Sequence, residues 1–66
     1  MTLTVNGDPR ELPPGATLDD LVAQVVSSVQ GVAAAVDGTV VPRRAWAGTP
    51  LADGAVVETV TAVQGG

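Results

Sequence analysis

The chain has 66 residues and a formal net charge of −4, from three arginines against seven carboxylates, with no cysteine, histidine, lysine, tyrosine or phenylalanine. That length allows one domain, near the lower limit for folding unaided. The composition excludes disulfides, thiolate or imidazole metal sites and a cysteine nucleophile, and it leaves carboxylates as the only side chains that titrate near neutrality, a poor kit for an autonomous enzyme. The acidic balance also argues against nucleic acid, which needs a basic face. Absence of cysteine fits a reducing cytoplasm. Met1 to Val5 has neither a positive region nor a long apolar run, so neither a signal peptide nor a membrane span is expected.

Thr2-Leu3-Thr4-Val5 alternates polar and apolar, which predicts a half-buried strand with Leu3 and Val5 inward. Asn6-Gly7-Asp8-Pro9 reads as a turn, since asparagine and glycine accept positive φ. Arg10-Glu11-Leu12 predicts a short return strand, closed by Pro13-Pro14-Gly15. Thr17 and Asp20 form an imperfect capping box at a helix start, with Asp19 and Asp20 at the positive end of the helix dipole. Leu18, Leu21, Val22, Val25, Val26 and Val29 step by three and four, predicting one buried stripe that ends at Gly31, a fitting C-terminal cap. Asp19 and Asp20 are the only adjacent carboxylates, and capping accounts for them.

Val32 to Val36 is ambiguous by period, but its length and the Asp37-Gly38 that follows favour a strand entering a tight hairpin. Thr39-Val40-Val41 is the return strand, stopped by Pro42, and the alanine run 33–35 suggests close packing beneath the helix. Arg43 to Leu51 reads as irregular. Trp46, the only aromatic residue, has two readings: preferably a plug closing one end of a small core, alternatively a partner contact. Arg43 and Arg44 are the densest positive charge, a solvated loop by default and a contact to an acidic group of a partner otherwise. Ala55 to Val63 is the longest β-like run, with apolar residues in both registers, which predicts a central strand covered on both faces. If one face is instead open, Val60 and Ala62 lie in an apolar patch beside the end of the chain, useful for docking.

Val63-Gln64-Gly65-Gly66 follows. Two glycines order at high entropic cost, so this stretch is expected to be a loose tail, able to thread a slot too narrow for other residues. Extended, 62–66 reach about 15 Å, carrying the Gly66 α-carboxylate. The functional reading is a carboxylate activated by an enzyme, and the plain one is a frayed terminus. The order β-β-α-β-β-β, one helix across a mixed sheet of about five strands, matches an α+β, β-grasp (ubiquitin-like) arrangement: a domain over 1–62 and a diglycine tail over 63–66.

Val5-Asn6-Gly7-Asp8-Pro9, Gly15-Ala16-Thr17-Leu18-Asp19-Asp20-Leu21, Asp37-Gly38-Thr39-Val40-Val41-Pro42-Arg43 with Trp46, Leu51-Ala52-Asp53-Gly54, Val57-Glu58 and Ala62-Val63-Gln64-Gly65-Gly66, in this order and spacing, resemble the ThiS family of ubiquitin-like sulfur carriers of thiamine biosynthesis. The chain departs from the family pattern at Arg44, where serine is common, and at Thr59, where a larger aliphatic is common. The resemblance implies a carrier that is not itself an enzyme. A ThiF-type adenylating enzyme would use ATP and magnesium to join AMP to the Gly66 carboxylate. Sulfur from cysteine, through a desulfurase relay, would convert it to a thiocarboxylate, and thiazole synthase (ThiG) would accept that sulfur. Gly65, Gln64 and Val63 would thread the partner's active site, with Ala62, Val60, Arg43, Arg44 and Trp46 as contact residues, and the chain itself would hold no cofactor or metal. Two other readings stand beside this one. The first is a molybdopterin synthase small subunit or a carrier for another sulfur-containing metabolite, although Thr59-Val60-Thr61-Ala62 lacks the Phe-x-Pro-Pro-like segment of the former. The second is a ubiquitin-like adaptor without chemistry.

Overall fold

The computed structural model describes residues 1–26 and 30–61. Strands β1 (Thr2–Val5), β2 (Asp8–Glu11), β3 (Val32–Val36), β4 (Thr39–Val41) and β5 (Val56–Thr61) form one sheet in the order β2-β1-β5-β3-β4. β5 lies at the centre, parallel to β1 and antiparallel to β3. One helix, α1 (Leu18–Val25), crosses a single face. This is the mixed five-stranded β-grasp arrangement expected from the element order.

The two hairpins follow from their turn residues. Asn6 and Gly7 have φ 51° and 87°, and Asp37 and Gly38 have φ 50° and 86°, the paired left-handed geometry that matches the twist of the flanking strands. Asp37 also ties its turn to the centre of the sheet. Its N–H donates to the Val56 carbonyl at 2.8 Å, and its Oδ1 accepts from the Val56 N–H at 2.9 Å. Because Asn6-Gly7 alone makes the first turn, β2 starts at Asp8 rather than at Arg10, and it includes Pro9. β2 is an edge strand, and Pro9 sits opposite Thr4, whose N–H bonds the other way, to Ala55. The missing proline donor therefore faces outward and costs the sheet nothing.

The helix opens as the sequence predicts. The Asp20 N–H donates to Thr17 Oγ1 at 3.3 Å, and the Thr17 N–H donates to Asp20 Oδ2 at 3.0 Å, a reciprocal cap that contributes about 1 kcal/mol. The helix closes earlier than expected. Val26 is already extended, with φ −126° and ψ 146°, and its N–H makes the last bond, to the Val22 carbonyl at 3.1 Å. Consecutive β-branched residues at Val25 and Val26, then serines, make poor helix. Gly31, at φ 73°, belongs instead to the turn that leads into β3, and Val29 lies outside the described residues.

Leu18, Leu21 and Val22 of the helix pack on Leu3 and Val5 of β1, Ala34 of β3 and Val57 of β5, all buried. Each fully buried leucine or valine contributes about 1.5–3 kcal/mol. Only Ala34 of the alanine run lies beneath the helix; Ala33 and Ala35 point to the other side. The stretch read as irregular is a 3-10 helix over Arg43–Gly48 that carries Trp46 into the core. Trp46 is 1% exposed, and its indole N–H donates to the Val41 carbonyl at 2.8 Å, so it is the plug and not a surface contact. The segment after it is laced to the helix start: the Leu18 N–H donates to the Thr49 carbonyl at 2.9 Å, and the Leu51 N–H to the Ala16 carbonyl at 3.0 Å.

Candidate functional site

Among the described residues one helix covers one face of the five-stranded sheet, and nothing covers the other. β5 is therefore not covered on both sides: Val57 points into the core, while Val56 and Val60 are 45% and 65% exposed. Val40 on β4 is 70% exposed. Strand register explains why these residues meet. Ala33 sits opposite Val60, and Ala35 opposite both Glu58 and Val40, so all five share the outer face. The small side chains of Ala33 and Ala35 leave a shallow groove of about 200 Å³, walled by Val40, Glu58 and Val60. A bare apolar groove on a monomer of this size is the kind of surface that partners cover.

Direction matters as much as exposure. Val41, Ala34 and Thr59 lie level across the sheet, and both β4 and β5 run antiparallel to β3, so they finish at the same end. Arg43 and Arg44, both exposed, follow directly after β4 at that end. Among the described residues neither guanidinium is in an ion pair. β5 leads from there to 62–66. Of the residues read as contacts, Val60 lies on the open face, Arg43 and Arg44 are exposed on the 3-10 helix that follows β4, and Trp46 is in the core. Ala62, Val63, Gln64, Gly65 and Gly66 lie outside the described residues.

Sequence reasoning overlooked two participants. Thr39-Val40-Val41 reads as a return strand and does not say which valine faces outward; the small Ala35 opposite Val40 is the available signal. Asn6 was read only as a turn residue, although its side chain contacts Thr59, 53 positions away, which no local pattern announces. A larger groove of about 480 Å³ lies on the helix layer, beside Pro13, Pro14, Gly15, Ala23 and Gln24. Its one charged group, Asp20, is engaged in the helix cap. Among the described residues there is no cluster of three or more metal-ligating side chains, and no helix is long and apolar enough to cross a membrane.

The model of the ThiS family matches residues 3–66. The crystal structure of a thiamine biosynthesis protein (ThiS) from Geobacter metallireducens is similar over 100% of both chains, with 30% identity and a TM-score of 0.85. A solution structure of a thiamine biosynthesis protein from the same organism is similar over 100% of this chain and 88% of that one, with 30% identity and a TM-score of 0.74. Among curated proteins, none matches the chain.

Proposed function

The chain belongs to the ThiS family, and from that premise we propose that it is a sulfur carrier for thiamine biosynthesis, acting in the cytoplasm as a protein substrate of other enzymes. The observation that carries this reading is the end-to-end likeness to a thiamine biosynthesis protein, joined to a sheet whose open face runs toward a diglycine. The chemistry divides between the chain and its partners. A carboxylate is a poor electrophile, so the Gly66 carboxylate first attacks the α-phosphorus of ATP and pyrophosphate leaves. The outer sulfur of a partner's persulfide then attacks the carbonyl carbon and AMP leaves, giving an acyl disulfide. A thiol reductant cleaves its S–S bond, is itself oxidised to a disulfide, and releases the thiocarboxylate. A ThiF-type enzyme supplies the ATP site and magnesium, a cysteine desulfurase relay supplies the sulfur, and thiazole synthase (ThiG) receives it. The chain supplies the carboxylate, a narrow peptide (Val63, Gln64, Gly65) to carry it in, and a body to be gripped.

Incubation with a ThiF-type enzyme, ATP and a sulfur source is expected to raise the mass of the chain by the difference between one sulfur and one oxygen. An unchanged mass, with an enzyme shown to be active on another carrier, overturns the reading.

The grip lies on the bare sheet face around Val40, Val56 and Val60, with the exposed Arg43 and Arg44 after β4 as further contacts. A Val60→Asp variant is expected to raise the KM for the carrier at least about tenfold, because a charge enters a contact that must be desolvated. Its thermal midpoint should stay near that of the parent chain, since Val60 is 65% exposed. An unchanged KM places the contact elsewhere.

A further inference from the structure

Asn6 holds an edge of β5 that the rest of the sheet leaves bare. Backbone groups make the first part of the seam between β1 and β5. The Thr4 N–H donates to the Ala55 carbonyl at 3.0 Å, and the Asn6 N–H donates to the Val57 carbonyl at 2.9 Å. β1 then turns away, with Asn6 at φ 51°. The next donor along that edge of β5 is the Thr59 N–H, and the Asn6 side chain takes it. Asn6 Oδ1 accepts from the Thr59 N–H at 2.8 Å, and Asn6 Nδ2 donates to Thr59 Oγ1 at 2.9 Å. A side-chain amide thus supplies the rung that the departing backbone cannot.

The turn alone does not explain the amide. Glycine adopts positive φ more readily than asparagine and would close the hairpin equally well. The side chain adds a second fastening to β5 near the end of the strand. Beyond Thr59, Val60 and Thr61 pair with Ala33 and Val32 of β3. Among the described residues Asn6 is the last hold on the β1 side. A strand fastened along one edge can twist and splay about it; fastened along both, it keeps one direction. Position 62 begins three residues after the clamp.

We infer that Asn6 is a positioning residue for carboxylate activation, fixing the direction in which β5 leaves the sheet and so the point from which residues 62–66 set out for the adenylating site. This rests on the carrier reading above. Reaction at a phosphorus centre demands close alignment, and displacement by about 1 Å can lower a rate about a hundredfold. The docking face is separate in effect: its valines govern whether the partner binds, and the clamp governs where the carboxylate arrives once bound.

The test compares the parent chain with Asn6→Gly, which keeps the turn and deletes the amide, and with Asn6→Asp, whose carboxylate can still accept from the Thr59 N–H and hydroxyl. Hydrogen exchange at the Thr59 amide is read alongside steady-state adenylation by the partner enzyme. In Asn6→Gly the Thr59 amide should exchange about fivefold faster, the loss expected for one hydrogen bond. Its kcat should fall about three- to tenfold, with KM changed less than about twofold, because alignment and not binding is altered. Asn6→Asp should restore both readings. Faster exchange with unchanged kcat overturns the positioning role and leaves Asn6 a turn fastener, and unchanged exchange overturns the clamp itself. A parent chain that is not adenylated at all overturns the carrier reading, and delivery by Asn6 falls with it.

Discussion

A Gly66→Val variant is expected to melt with the parent chain and to accumulate no thiocarboxylate when supplied with the adenylating enzyme, ATP and sulfur. The two halves of this result have separate causes. Among the described residues the core is assembled between Leu3 and Val57, well before the substitution, so thermal unfolding should not move. On the proposed chemistry, by contrast, the last carboxylate must pass through whatever channel the partner offers. A β-branched side chain at that point widens the peptide and restricts its φ and ψ. Loss of alignment at the reacting carbon should lower turnover at least about a hundredfold. The measurement is intact-mass analysis beside a melting curve. Thiocarboxylate formed by the valine variant at the parental rate overturns the requirement for a side-chain-free residue at position 66.

Trp46→Ala is expected to have the opposite profile, with the fold destabilised and the tail chemistry impaired only as a consequence. Trp46 is the largest of the fully buried side chains, and it fills the core from a 3-10 helix that has no side-chain cap of its own. Removing so large a buried side chain costs about 3–5 kcal/mol. A chain of this length has about 3–10 kcal/mol of total stability, so the substitution removes from about a third to all of it. Circular dichroism in urea should show a midpoint lowered by at least about a third. Trp46→Phe, which keeps most of the volume but leaves the Val41 carbonyl without its indole donor, should fold with a reduced midpoint. If the alanine variant unfolds at the parental urea concentration, the tryptophan is not the plug.

The contrast between these variants follows what was legible beforehand. Turn and cap chemistry is local, so Asn6-Gly7, Asp37-Gly38 and the Thr17–Asp20 box were readable from a few adjacent residues, and the structure has all three. Leu3 and Val5 declared their inward face by alternation. The helix stripe overran its true end because periodicity at Val29 says nothing about the conformational preference of Val25 and Val26, which broke the helix. The two-sided valines of β5 favour cover on both faces, with one open face as the alternative; among the described residues a single helix covers only one, so counting layers rather than residues selects the open face. Trp46 offered two readings because burial of a lone aromatic depends on how the segment from Arg43 to Gly48 coils. The Asn6–Thr59 contact was invisible, since it joins a turn to a strand from opposite ends of the chain.

The middle position of β5 also bears on how the molecule is made. β1 emerges from the ribosome with only β2 as a neighbour, and β3 and β4 emerge as a second, unattached hairpin. The parallel seam that unites them needs the strand translated last, and such long-range pairing is slow and cannot start early. Prematurely released products therefore lack the centre of the sheet, Val56 and Val60 with it. A chain stopped before β5 would leave its two hairpins unjoined and would offer a partner only part of the apolar face.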